Sequence, residues 1–144
     1  MHLLHQHPLI KEYQRKNQFG KLIDADFEIR SPGNVVYGLT VKDEHLATPH
    51  HAHGGLIAAL LDAVTGVGAL SLVCTENKVV ATVNLNVSYI LGARLGDVLR
   101  AQSSLVKQGN RLLFMNATVT NQEGETIAQA SATLTAYPME KAGY

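Results

Sequence analysis

The sequence predicts an α+β fold in which one long helix is wrapped by a curved antiparallel sheet. Three observations carry the prediction. The elements run strand, strand, helix, then four strands. The helical segment is apolar almost all round, so it needs a surface that covers it on most sides. After it the apolar period changes from about 3.6 to 2, the change from helix to strand. A chain of 144 residues suits one domain with a real core. We read it as a single domain over residues 1–144, with residues 1–23 an N-terminal helix and loop extension.

The elements follow in order. Residues 3–24 hold a short amphipathic helix and a loop, centred on "HPLIKEYQRKNQF". "DFEIR" (26–30) is a short strand and "SPGN" (31–34) a turn by composition. "VVYGLTV" (35–41) is a strand rich in β-branched residues. Pro49 argues for a loop through "KDEHLATPHHAH". From Gly54 to Leu72 the apolar run is too long for a strand and lacks a strong turn signal, so it is a helix. "VVATVNLNVSYI" (79–90) alternates, with Ala81, Val83, Leu85, Val87 and Tyr89 expected on one face and Thr82, Asn84, Asn86 and Ser88 on the other. "VLRAQSSLVK" (98–107), "RLLFMNATVTN" (111–121) and "TIAQASATLTAY" (126–137) complete a meander through turns at "QGN" and "QEGE".

Composition removes several function classes. Hydrophobic residues make up 46% and charged residues 17%, with a formal net charge of zero, so no basic stripe points to nucleic acid. The single cysteine, Cys74, cannot form an intrachain disulfide and is read as a packed small hydrophobe near a helix end. "MHLLHQHPLI" lacks the pattern of a signal peptide, and the expected location is the cytoplasm. Residues 54–73 are about long enough to span a bilayer, but they carry Asp62 and several glycines without basic or aromatic flanks. We read them as a buried core helix, with no membrane partner.

The chemistry concentrates in "HHAHGGLIAALLDAV", residues 50–64. A helix start offers unpaired N–H groups and the positive end of the macrodipole. Glycine there lets a substrate carbonyl approach the backbone. Gly54 is therefore a candidate donor to an oxyanion, with His53 and Gly55 shaping the turn. Asp62, a carboxylate on an apolar helix, is costly unless paired or functional, and partial desolvation would raise its basicity. Arg94, a histidine or Thr82 could instead hold it as a structural group. The stripe Ala58, Asp62, Thr65, Gly66, Ala69 is small and polar, as expected where a ligand or another surface comes close. We expect Gly55, Ala58 and Thr65 to contact substrate, with residues near the termini completing the pocket. His50, His51 and His53 point apart on a loop with no carboxylate at ligand spacing, so no metal site is expected.

"HGGLIAALLDA" followed by "ATVNLNVSYI", "GD", "VKQGNRLLFMNATVTN" and "IAQASATLTAY" resembles the hotdog-fold acyl-CoA thioesterases of the phenylacetate-pathway (PaaI-like) type, in the 4-hydroxybenzoyl-CoA thioesterase superfamily. The resemblance covers residues 24–137 and rests on the H-G-G pair with an acidic residue seven positions after its second glycine. It implies hydrolysis of acyl-CoA, with the Gly54 N–H polarising the thioester carbonyl, His53 shaping the turn, Asp62 as nucleophile or general base and Thr82 assisting. It implies a homodimer, often a dimer of dimers, and no cofactor beyond the coenzyme A of the substrate. Arg94, Lys107 and Arg111 are candidates for its phosphates. The chain departs from the family at Ala47, where relatives carry asparagine or glutamine six residues before the histidine.

Spacing adds an argument independent of the resemblance. Gly54 and Asp62, eight residues apart, stand about 12 Å apart along a helix. One carbonyl cannot meet both from a single chain. If both act on it they come from two subunits packed antiparallel, which forms two sites by symmetry. Two other functions fit the same fold: a protein that binds acyl-CoA without turnover, which Ala47 would favour, and an enoyl thioester hydratase, which wants an Asp/His pair that the sequence does not offer.

Overall fold

A computed structural model describes the whole chain, Met1–Tyr144. After a 3-10 turn at Leu3–Gln6 come the helices α1 (Pro8–Lys16) and α2 (Gln18–Leu22) and the strands β1 (Asp26–Ser31) and β2 (Asn34–Thr40). The long helix α3 (Gly54–Val73) follows, then β3 (Lys78–Tyr89), β4 (Val98–Gln108), β5 (Leu112–Thr120) and β6 (Thr126–Pro138). The strands make one antiparallel sheet in the order β1-β2-β4-β5-β6-β3. The predicted fold class and element order hold, and boundaries move by one residue or so. The N-terminus differs, carrying a turn and two helices where one helix and a loop were expected. Asn17 makes the break: its Oδ1 accepts the Gly20 N–H at 3.0 Å, which caps α2 directly behind α1.

The sheet supplies the wrap that α3 requires. Twelve of its 20 residues are buried, and it touches every strand. The segment Gly54–Glu76 is long and apolar enough to cross a bilayer, with a mean hydropathy of 2.1, yet 67% of its most apolar window is buried inside the protein. Leu60, Leu61 and Val64 are fully enclosed and pack with Val35, Tyr37 and Leu99 from the strands. Cys74, at the helix end, is buried, which pushes its thiol up. Helix and sheet approach closely at Gly68. A Cβ there would stand 2.6 Å from Ser103 Oγ and 2.9 Å from the end of Met115. The same serine donates to Gly33 O at 2.9 Å and accepts Val35 N–H at 3.1 Å, which ties the β1–β2 turn to β4.

One strand departs from its expected faces. The register between β3 and β6 shifts between Thr82 and Asn84, so Val83 is a β-bulge. Thr82 lies opposite Leu134, which is fully buried, and so faces α3. Beyond the bulge Leu85 and Val87 face the helix, while Asn84, Asn86 and Ser88 lie on the outer surface, opposite Thr133, Ser131 and Gln129. Strict alternation had put Thr82 with those outward residues. The inserted residue flips the strand between them, and an apolar pattern does not record it.

Candidate active site

The start of α3 is held from three sides. Ala52 N–H donates to Ala93 O at 2.8 Å, Leu95 N–H to His50 O at 3.0 Å, and His53 N–H to His45 O at 2.8 Å. His45 is itself buried and accepts Lys42 N–H at 3.0 Å through Nδ1. The first N–H groups of the helix then divide. Gly55 N–H donates to His53 Nδ1 at 2.7 Å and Leu56 N–H to His53 O at 3.0 Å. Gly54 N–H, the first of the helix, has no acceptor within the chain. His53 thus works as an N-cap, its Nδ1 accepting the Gly55 N–H. Gly55 makes this possible, since a Cβ there would sit 2.8 Å from His53 Nδ1.

Tyr89 completes the turn and was not singled out from the sequence. Its hydroxyl donates to Gly54 O at 2.8 Å, and a Cβ on Gly54 would meet its ring at 3.4 Å. Its place at the inward end of an alternating strand was the available signal. Ala47 sits in the same loop, its N–H on His51 O at 3.0 Å.

Asp62 stands two turns further along α3. Of the partners weighed for it, the structure brings Thr82: the hydroxyl donates to Asp62 Oδ1 at 2.8 Å. No cation pairs with the carboxylate, and Oδ2 is free within the chain. Asp62 is exposed on the single chain rather than desolvated, which corrects the burial inferred from its apolar neighbours.

Two cavities flank Asp62. One, of about 190 Å³, runs along α3 past Gly66 and Leu70 over Val80 and Thr82, with Tyr13 and Tyr144 also in its lining. The other, of about 210 Å³, lies between α3 and the N-terminal helices at Ala59 and Tyr37. Residues near both termini thus line the first cavity, as the sequence led us to expect. Of the small stripe, Asp62 and Gly66 face it. Thr65 does not: it is fully buried, and its hydroxyl donates to Leu61 O at 2.8 Å. Ala58 lines neither cavity. Tyr13 lies between the two, its Oη 3.4 Å from the Tyr37 hydroxyl and accepting Asn17 Nδ2 at 3.2 Å. Burial pushes its phenol up, and the nearby charge of Asp62 adds to this.

The three basic residues do not share one end of the molecule. Arg94 lies beside the helix start, in a bridge with His51. Lys107 and Arg111 flank the β4–β5 turn, where Arg111 O accepts Ala136 N–H, at the far end of the sheet from Tyr89 and Gly54.

Helix and sheet together are the hotdog fold, and its equipment suits a thioester: a free N–H at a helix start, an oriented carboxylate and an apolar cavity. Comparison with known proteins bears out the fold and the thioester class. A family model described as the thioesterase superfamily matches residues 50–128, and the chain belongs to that family of thioester hydrolases. It is 33% identical to acyl-coenzyme A thioesterase 13 of Homo sapiens over 72% of this chain and 73% of that one. A hypothetical thioesterase of Streptococcus pneumoniae, solved with coenzyme A, is similar at a TM-score of 0.79 and 25% identity, over 90% of this chain and 97% of that one. The PaaI protein of E. coli, from the phenylacetic acid degradation operon, shares the fold at a TM-score of 0.83 and 19% identity, over 94% and 96% of the two chains.

Proposed function

We propose that this protein hydrolyses acyl-CoA thioesters in sites shared between two subunits, with Asp62 of one chain and the Gly54 N–H of the other acting on the same carbonyl. The observation that carries the reading is the pairing of an unsatisfied Gly54 N–H with an Asp62 carboxylate that Thr82 orients. The coenzyme A bound to the streptococcal protein and the name of the human relative support the substrate class.

The N–H at the helix start stabilises the oxygen of the thioester carbonyl as it gains charge. Asp62 supplies the other half, by drawing a proton from water or by attacking the carbon directly. Thr82 fixes Oδ1 and leaves Oδ2 for the reaction. Where Asp62 takes a proton from water, that proton passes to the departing sulfur as the C–S bond breaks; where it attacks directly, coenzyme A leaves as a thiolate that solvent protonates, and water then hydrolyses the anhydride on Asp62 to free the acid. Every step runs on the chain's own groups and water. Arg94, beside the helix start, is the basic residue best placed for the coenzyme A phosphates at its own chain's Gly54.

The sheet edge supports the shared site. β3 is an edge strand of 12 residues that leaves Val83 and Tyr89 exposed, with Ile90 exposed just beyond its end, an edge that invites pairing. Antiparallel pairing of two β3 strands about an axis at Asn86 sets Leu85 opposite Val87 and, past the bulge at Val83, Tyr89 of one copy opposite Thr82 of the other. Tyr89 marks Gly54, and Thr82 marks Asp62.

The test is thiol release from a panel of acyl-CoAs by the wild type and by Asp62→Asn. The wild type is expected to release coenzyme A, and the variant to lose about 100- to 10,000-fold in kcat. Full activity in the variant would remove Asp62 from the chemistry. No release by the wild type, with coenzyme A still raising its Tm, would make the protein a binder.

A further inference from the structure

Tyr13 is the one side chain besides Asp62 and Ala63 that lines both cavities. Its ring is pinned rather than loose: Asn17 and Tyr37 hold the hydroxyl, and the ring packs against Phe27 at 6.0 Å between centroids. Phe27 packs in turn on the buried Tyr37 at 5.3 Å. The wall is therefore anchored to β1 and β2 and does not rest on α1 alone.

We infer that Tyr13 sets the length of acyl chain this enzyme accepts, as a fixed wall that ends the cavity beside Asp62 and closes off a second one behind it. The inference rests on the hydrolase reading above and names the specificity of the same site. The first cavity is apolar along Gly66, Leu70 and Val80, so it suits a hydrocarbon chain. At about 30 Å³ per carbon, the share of one water in the liquid, its 190 Å³ takes about six carbons beyond the carbonyl. The 210 Å³ behind the ring would take about seven more. The wall is also polar at its tip, where three hydrogen-bonding side chains converge on the far side. An aliphatic chain that displaced the ring would leave buried polar groups unpaired, which resists an induced opening.

The experiment measures kcat/KM for saturated acyl-CoAs from butanoyl to hexadecanoyl, with Tm for each variant. The wild type is expected to favour hexanoyl and octanoyl. Tyr13→Ala joins the cavities, and the ratio of dodecanoyl to hexanoyl activity rises about tenfold or more, the effect of two newly buried methylenes. Tyr13→Leu, which keeps apolar packing while lowering the wall, moves the profile the same way by less and serves if the alanine variant fails to fold. Tyr13→Phe keeps the ring but removes the hydrogen bonds that pin it, and moves the profile toward longer chains by less than Tyr13→Leu. An unmoved profile in folded Tyr13→Ala or Tyr13→Leu, with hydrolysis intact, overturns this inference alone. Absence of hydrolysis by the wild type at every length overturns the hydrolase reading and this inference with it.

Discussion

In the proposed site Gly54 acts through its backbone alone, and the local geometry allows that contribution to be deleted cleanly. It is the first residue of α3, and His53 before it has φ −60° and ψ 136°, a conformation that tolerates a following proline. Proline is favoured at the first helical position, where its missing N–H breaks no helical bond. Gly54→Pro is therefore expected to fold with a Tm near that of the wild type, while kcat falls about 100- to 1,000-fold, the effect of losing one oxyanion donor. Thiol release beside a melting curve checks both halves. At this scale the sequence was most informative where the chemistry is local. His53, Gly54 and Asp62 stand on one turn and one helix, so their relation follows from spacing. Tyr89 and Tyr13 reach the site from distant parts of the chain, through hydrogen bonds that no period records. Thr65 misled because a short polar side chain on an apolar helix can satisfy itself on its own backbone, here on Leu61 O.

At the scale of the element, α3 holds two glycines whose surroundings are opposite. A Cβ on Gly66 meets nothing within 4 Å, whereas one on Gly68 collides with Ser103 and Met115. Gly66→Ala is expected to stabilise the protein by about 0.5–1 kcal/mol through helix propensity. Gly68→Ala is expected to destabilise it by about 1–3 kcal/mol through overpacking. Denaturant midpoints of the two variants check the pair, and equal effects would contradict the packing of α3 on the sheet. The helix itself was legible from its unbroken apolar run, and the strands from their alternation. The bulge at Val83 was not, because one inserted residue leaves composition unchanged while reversing the faces on either side. That reversal is what turns Thr82 toward Asp62, so the site depends on the feature least visible in the sequence.

For the whole molecule, the question is how many chains make one site. Within a chain, Gly54 and Asp62 are held about 12 Å apart by the helix that carries them both. The open edge of β3 offers the surface on which a second copy would close that gap. Two disabled variants test this directly. Asp62→Asn and Gly54→Pro are mixed as unfolded chains and refolded together, with each refolded alone as a control. In a mixed dimer, one site would then combine an intact Asp62 from the Gly54→Pro chain with an intact Gly54 from the Asp62→Asn chain. Random pairing makes half the dimers mixed with one working site in two, so the account predicts recovery of about a quarter of wild-type thiol release. A mixture as inactive as its two components, with mixed dimers shown to be present, would contradict it and return each site to a single chain.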